Sequence, residues 1–161
     1  MRIRDAVAAD LPAIVRIYNA AIPGRMATAD TEPVSVASRR AWFAEHTGSR
    51  PLWVALGEDA IIGWLSFQSF YGRPAYRATA EVSVYVAPDG RRKGVGYRLL
   101  SRAMAAGPGL GLRTLVGFIF GHNAPSLALF EGLGFRRWGL LPGVAELDGL
   151  ERDLVIVGRR L

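Results

Sequence analysis

Apolar positions along this chain switch between two spacings, and the switches mark out its elements. Leu11, Ile14, Val15, Tyr18 and Ala21 recur at the helical period and share one face. Asp10 stands in front of them as an N-cap, and Pro12 falls in the first turn, where a missing N–H is harmless. The segment 23–34, rich in Gly, Pro and Thr, reads as a loop, after which Ser35 caps a second helix carrying Val36, Arg40, Trp42 and Phe43. Two β-rich runs, 52–56 and 60–70, flank Gly57-Glu58-Asp59 and predict an antiparallel hairpin. Beyond the Gly72-Arg73-Pro74 turn, 78–86 reads as a central strand ended by Pro88-Asp89-Gly90. A helix over 94–106 follows, with Val95, Leu99, Leu100 and Ala103 inward. Then come a strand at 114–120, a helix from an Asn123 cap to Leu133, and strands at 135–140 and 154–157. The order predicts an α/β fold class: a mixed sheet covered by helices, with antiparallel hairpins at both ends.

Length and composition narrow the setting. The 161 residues, half of them hydrophobic, suit one compact domain over 1–161. No apolar run is long enough to span a bilayer, and Met1-Arg2-Ile3-Arg4-Asp5 does not open like a signal peptide. The expectation is a cytoplasmic protein with no membrane partner. Cysteine is absent, which excludes disulfides, thiolate metal sites and an acyl-cysteine intermediate. The net charge of +6 would concentrate an anionic ligand, either nucleic acid or a polyphosphorylated nucleotide. Scattered basic residues without an aromatic-basic motif argue against nucleic acid. Two isolated histidines, His46 and His122, offer no metal site; His46 reads as a surface residue and His122 as a loop residue or a neighbour of a bound ligand.

The most informative segment is Val84-Tyr85-Val86-Ala87-Pro88-Asp89-Gly90-Arg91-Arg92-Lys93-Gly94-Val95-Gly96-Tyr97. An apolar strand, a basic glycine-containing turn and an amphipathic helix can together hold a pyrophosphate: the first helical turn has unpaired N–H groups and a positive dipole end, and Gly94 and Gly96 leave room for close approach. Glycines and basic residues also occupy ordinary solvated turns. The spacing fits neither the P-loop nor the dinucleotide fingerprint.

Arg91-x-x-Gly94-x-Gly96 after an apolar strand resembles the acyl-CoA loop of the GNAT N-acetyltransferase superfamily, and Asn123-x-x-Ser126-x-x-x-Phe130-Glu131-x-x-Gly134-Phe135 resembles its second cofactor motif. Ile17-Tyr18-Asn19, Thr31-Glu32-Pro33-Val34, Arg40-Ala41-Trp42-Phe43, Arg73-Pro74-Ala75-Tyr76-Arg77 and Glu81-x-Ser83-Val84-Tyr85-Val86 are similar to the phosphinothricin N-acetyltransferase group, in order and over almost the whole chain. The resemblance implies acetyl-CoA as co-substrate, direct transfer to the amine of a small amino acid or analogue, and a homodimer. It implies that the backbone of Val84 and Val86 pairs with the pantetheine arm, that Arg91, Arg92, Lys93, Gly94, Val95, Gly96 and Tyr97 surround the pyrophosphate, and that Asn123 and Ser126 reach the pantetheine or thiol. Asn123 is equally explained as a helix cap.

A proton acceptor is needed because an amine attacks only as the free base. Glu81 is the candidate: Thr79, Glu81, Ser83 and Tyr85 share one face of the strand, Ala80, Val82, Val84 and Val86 the other, and a carboxylate in mid-sheet is costly unless paired or solvated. The group often carries His after this Glu, where Val82 stands here, and Tyr or His at the position of Phe130, which cannot donate a proton. Ser126, Tyr85 or water would serve instead, or the thiolate would leave unprotonated. Arg73 and Arg77 are candidates for a substrate carboxylate, or ordinary turn arginines. Tyr76, Thr79 and Ser83 are candidates for the pocket wall, while Trp42, Phe43, Trp53, Trp64 and Phe67 read as core. The rival readings are acetylation of a protein N-terminus or lysine, and a non-catalytic acyl-CoA-binding module.

Overall fold

A computed structural model describes residues 1–161. Seven strands, β1 (Arg2–Asp5), β2 (Leu52–Leu56), β3 (Ile61–Ser69), β4 (Thr79–Val86), β5 (Thr114–Phe120), β6 (Arg136–Leu147) and β7 (Leu150–Arg160), form one sheet in the order β1-β2-β3-β4-β5-β7-β6. Every neighbouring pair is antiparallel except β4 and β5. That parallel step needs a crossover, supplied by α3 (Val95–Ala106). The helices α1 (Leu11–Ala21) and α2 (Arg40–Ala44) precede β2, and α4 (Ala124–Gly132) follows β5.

The strand alternation expected for β4 is borne out. Ala80 and Val82 are buried in one core with Leu65, Phe67, Leu115, the α3 residues Val95, Leu99 and Leu100, and Phe130 of α4. The opposite sheet face carries a smaller core in which Ile14 and Ile17 of α1 meet Leu52, Val54 and Trp64, with Tyr85 packed beside them. Polar residues of β3 and β4 therefore look toward α1 and α2.

Three expectations are corrected. Asp10 does not cap α1: its carboxylate takes the Val7 N–H at 2.8 Å and the Arg4 guanidinium at 2.6 and 3.0 Å, closing the short 3-10 turn ahead of the helix. Residues 2–5, read only as a non-signal terminus, form edge strand β1, too short for period-two alternation to stand out. The last two strands are far longer than 135–140 and 154–157. They meet at Asp148-Gly149, where φ of 52° and 79° mark a tight hairpin turn, and shifts in register let polar residues interrupt the pattern.

Candidate active site

The parallel ladder between β4 and β5 is short. Thr79, Ala80 and Glu81 pair with Thr114, Leu115 and Val116, and there pairing stops although the strands run on to Val86 and Phe120. A wedge opens beyond Glu81. The Ala87 N–H reaches the Ile62 carbonyl at 2.8 Å. Peptide groups alternate in direction along a strand, so those of Tyr85 and Ser83 also point to β3, while those of Val84 and Val86 point into the wedge with no strand to pair with. An extended molecule carrying amides can bond along such an edge.

Val82, Val84, Phe118, Phe120, Ser126 and Phe130 are among the walls of the wedge. Asn123 combines two tasks: its side-chain oxygen accepts the Ser126 N–H at 3.2 Å, capping α4 as expected, and its amide donates to the Met26 carbonyl at 3.0 Å. His122 donates through Nε2 to the Arg25 carbonyl at 2.7 Å, and the Tyr85 hydroxyl donates to the Ala27 carbonyl at 3.1 Å. These three side chains hold residues 25–27 against the wedge, which Met26 and Ala27 help to wall. The segment 23–34 is a loop, as its composition predicts, and nothing in that composition says where it docks.

At the Val86 end the chain turns into α3. Gly94 has φ of 73°, and a Cβ there would meet nothing, so the residue is required by backbone conformation alone. The first-turn N–H groups of Val95, Gly96 and Tyr97 have no intrahelical acceptor. Arg91, Arg92 and Lys93 are exposed, and none takes part in the four ion pairs of the chain. Unpaired helix N–H groups and three exposed cationic side chains thus meet at this end of the wedge. Gly96 has a further reason: a Cβ would lie 3.1 Å from Leu129, so it also lets α3 and α4 pack closely.

A second cavity, of about 170 Å³, opens on the α1–α2 side, lined by Tyr18, Arg39, Trp42, Trp64, Ser66, Gln68, Ser83 and Tyr85 together with Val15. It shares Ser83 and Tyr85 with the wedge. Trp64 stacks on Tyr85 at 4.7 Å, and Trp42 meets Trp64 edge-on at 5.5 Å. Arg39 lies over the Tyr18 ring at 4.9 Å and pairs with Asp30 at 2.9 Å, while the Tyr18 hydroxyl bonds Thr28 and Asp30. Burial holds the Tyr85 phenol far above its ordinary range, and its proton is engaged by Ala27. That makes it a poor general acid; the Ser126 hydroxyl has no protein partner.

Glu81 stands at the last rung of the parallel ladder, half-buried, without a hydrogen-bond or ion-pair partner. Burial raises its pKa above the usual carboxylate value. It lines neither cavity directly, but its cross-strand neighbour Gln68 and its same-face neighbour Ser83 both line the second one.

Of the residues singled out for the substrate, only Ser83 reaches that cavity. Arg73, Tyr76 and Arg77 are exposed on the turn before β4, away from the wedge; Tyr76 packs edge-on against Phe70, and the Arg77 carbonyl accepts from Arg50 at 2.7 Å. Thr79 lies in the ladder opposite Thr114. The arginine that lines the cavity is Arg39, next to Arg40 in sequence. Trp64 is core, as expected, with Trp42 packed against it, and both also line the cavity. His46, taken as a surface residue, is half-buried against Trp42 and bonded to Ser66 at 2.7 Å. One signal was available: Trp64, Ser66 and Gln68 alternate on a face of an otherwise apolar strand.

No group of three or more acidic or histidine side chains could hold a metal, and no helix is long and apolar enough to cross a membrane. The family model for acetyltransferases of the GNAT type matches residues 12–135. A Bacillus subtilis (strain 168) protein, provisionally named phosphinothricin acetyltransferase YwnH, is 56% identical over 100% of this chain and 99% of its own. The L-methionine sulfoximine/L-methionine sulfone acetyltransferase of Pseudomonas paraeruginosa is 38% identical over 96% of this chain and 91% of its own. Among solved structures, a GNAT superfamily phosphinothricin acetyltransferase from Sinorhizobium meliloti in complex with AcCoA superposes with a TM-score of 0.93 at 37% identity, covering 99% of this chain and 88% of that one.

Proposed function

The chain belongs to the GNAT acetyltransferase family, and on that premise we propose that it transfers the acetyl group of acetyl-CoA to the amine of a small amino acid or analogue, of the phosphinothricin or methionine sulfoximine type. One observation carries the reading: the wedge suited to an extended amide-bearing cofactor and the Arg39 cavity meet at Ser83 and Tyr85. Two reactants held in these spaces would touch only there.

The residues present fit acetyl-CoA. The unpaired peptides of Val84 and Val86 would hold the pantetheine amides, and the first turn of α3 with Arg91, Arg92 and Lys93 would hold the pyrophosphate. Bound there, the co-substrate supplies an acetyl group already activated as a thioester. Arg39 retains donors beyond its bond to Asp30 and would receive the acceptor's carboxylate. Glu81 would take the proton that the nitrogen sheds as the N–C bond forms and the C–S bond breaks. Backbone N–H groups at the wedge would stabilise the oxyanion, and Ser126 or water would serve the departing sulfur.

The small volume favours a single amino acid over a peptide segment, since pockets for drug-sized ligands run to about 300–1,000 Å³. A homodimer acting in the cytoplasm completes the proposal; exposed Trp138, Leu140, Leu141 and Val144 on β6 offer apolar surface for self-association. The test is thiol release from acetyl-CoA with a panel of amines. Turnover of methionine sulfoximine or phosphinothricin supports the reading. Turnover confined to peptides, or acetyl-CoA binding with no turnover at all, overturns it.

A further inference from the structure

Ser66 is 1% exposed, in the middle of β3, with its hydroxyl on the floor of the Arg39 cavity. It lies directly opposite Ser83, one of the two residues shared by the cavity and the wedge. Its side chain has one protein partner, His46 Nε2 at 2.7 Å. The other ring nitrogen, Nδ1, lies 3.3 Å from the Phe43 carbonyl.

A carbonyl only accepts, so the contact to Phe43 favours the tautomer with the ring hydrogen on Nδ1. In the neutral imidazole Nε2 is then a bare lone pair, and the Ser66 hydroxyl must be the donor between them. The surroundings favour the neutral ring. His46 packs edge-on against Trp42 at 4.8 Å, burial lowers its pKa, and β3 brings no charged side chain to it. Glu45, on its own segment, is the one charged neighbour that acts the other way, with backbone carbonyls of Trp42 and Phe43.

We infer that His46 is a positioning residue: it holds the Ser66 proton, so that Ser66 shows the cavity only acceptor lone pairs and takes the substrate nitrogen as an N–H donor. The inference rests on the amine-acceptor reading above. A free amine that donates one N–H to Ser66 keeps its lone pair for the thioester and a second N–H whose proton can pass through water to Glu81. A hydroxyl acceptor would place its single proton on Ser66, where Glu81 cannot collect it. The cavity then has opposite polarity at two points, donors at Arg39 and an acceptor at Ser66, which matches the carboxylate and amine of one amino acid.

Two measurements test this. The first is a double-mutant cycle with Ser66→Ala, His46→Gln and the pair, reading KM for the amine separately from acetyl-CoA binding, with circular dichroism as the folding control. Each single change is expected to raise the amine KM by up to about tenfold, the scale of one neutral hydrogen bond. The pair should be no worse than Ser66→Ala alone, because His46 acts through Ser66. Additive effects, or an unchanged amine KM in Ser66→Ala, overturn the inference. The second is nitrogen NMR of the parent, in which only two histidines need assignment. A neutral His46 with the proton on Nδ1 supports the inference, and a proton on Nε2 near neutral pH overturns it even if every variant misfolds. Failure of the parent to acetylate any small amine would instead count against the amine-acceptor reading, with the NMR result still deciding the tautomer.

Discussion

Replacing Glu81 by Gln separates catalysis from stability, because the carboxylate has no partner to strand. A positioned general base is worth about 10²–10⁴-fold in rate. Glu81 lines neither cavity and reaches the junction past Ser83 and Gln68, so the proton must cross an intervening water. That places the expected loss at the low end, about a hundredfold in kcat/KM, or roughly 2.7 kcal/mol of barrier. The pH profile carries the sharper signature. Burial raises the Glu81 pKa, so the parent's kcat/KM should climb with pH through a value above the ordinary carboxylate range, and Gln should abolish that limb. Stability should move the opposite way. A carboxylate whose folded pKa is raised is penalised by folding in its charged form; the penalty is complete above the folded pKa and absent below the unfolded value near 4.3. The variant should thus melt at or above the parent's temperature at pH 7, with the gap closing on acidification between those two values. The assay is thiol release, free of background because the protein has no cysteine. A variant within threefold of the parent at every pH would refute the assignment of Glu81 as base.

Arg39→Ala should raise KM for amino-acid acceptors about 10–100-fold, matching a hydrogen bond to a charged group, and leave the corresponding amino-acid amides little affected; an equal rise for both would remove Arg39 from carboxylate recognition. Gly117→Ala puts a Cβ 2.9 Å from Phe130 and 3.2 Å from Val157, where ordinary contact begins near 3.4 Å. Overpacking costs about 1–3 kcal/mol, so melting should fall by about 2–12 °C, and KM for acetyl-CoA should rise as the Phe130 ring is pushed toward the wedge. An unchanged melt would show that the ring yields freely. Asp10→Asn weakens the Arg4 pair and the Val7 turn, about 1–2 kcal/mol at pH 7. Arg4 lowers the Asp10 pKa, so this stability is present above the unfolded value and lost as pH falls through the folded one; a difference from the parent that stayed constant into acid would contradict the linkage.

What the sequence determined by itself was local and periodic. Alternation in β4 put Glu81, Ser83 and Tyr85 on one face, Asn123 announced the α4 cap, and the glycine-containing basic turn marked the start of α3, because each of these rests on neighbours within a few residues. The Asp148-Gly149 turn was equally local, and its meaning for the length of β6 and β7 was there to be read. Position across the sheet was decided only by tertiary structure. Arg39 and Arg73 are chemically alike, yet one comes from the α2 segment packed over β3 and the other stands on a turn leading away from it. Ser66 meets His46 across twenty residues of sequence, and Met26 meets Asn123 across ninety-seven. Such contacts depend on how strands register and how a loop docks, both settled by burial of apolar surface over the whole fold rather than by any pattern within one segment.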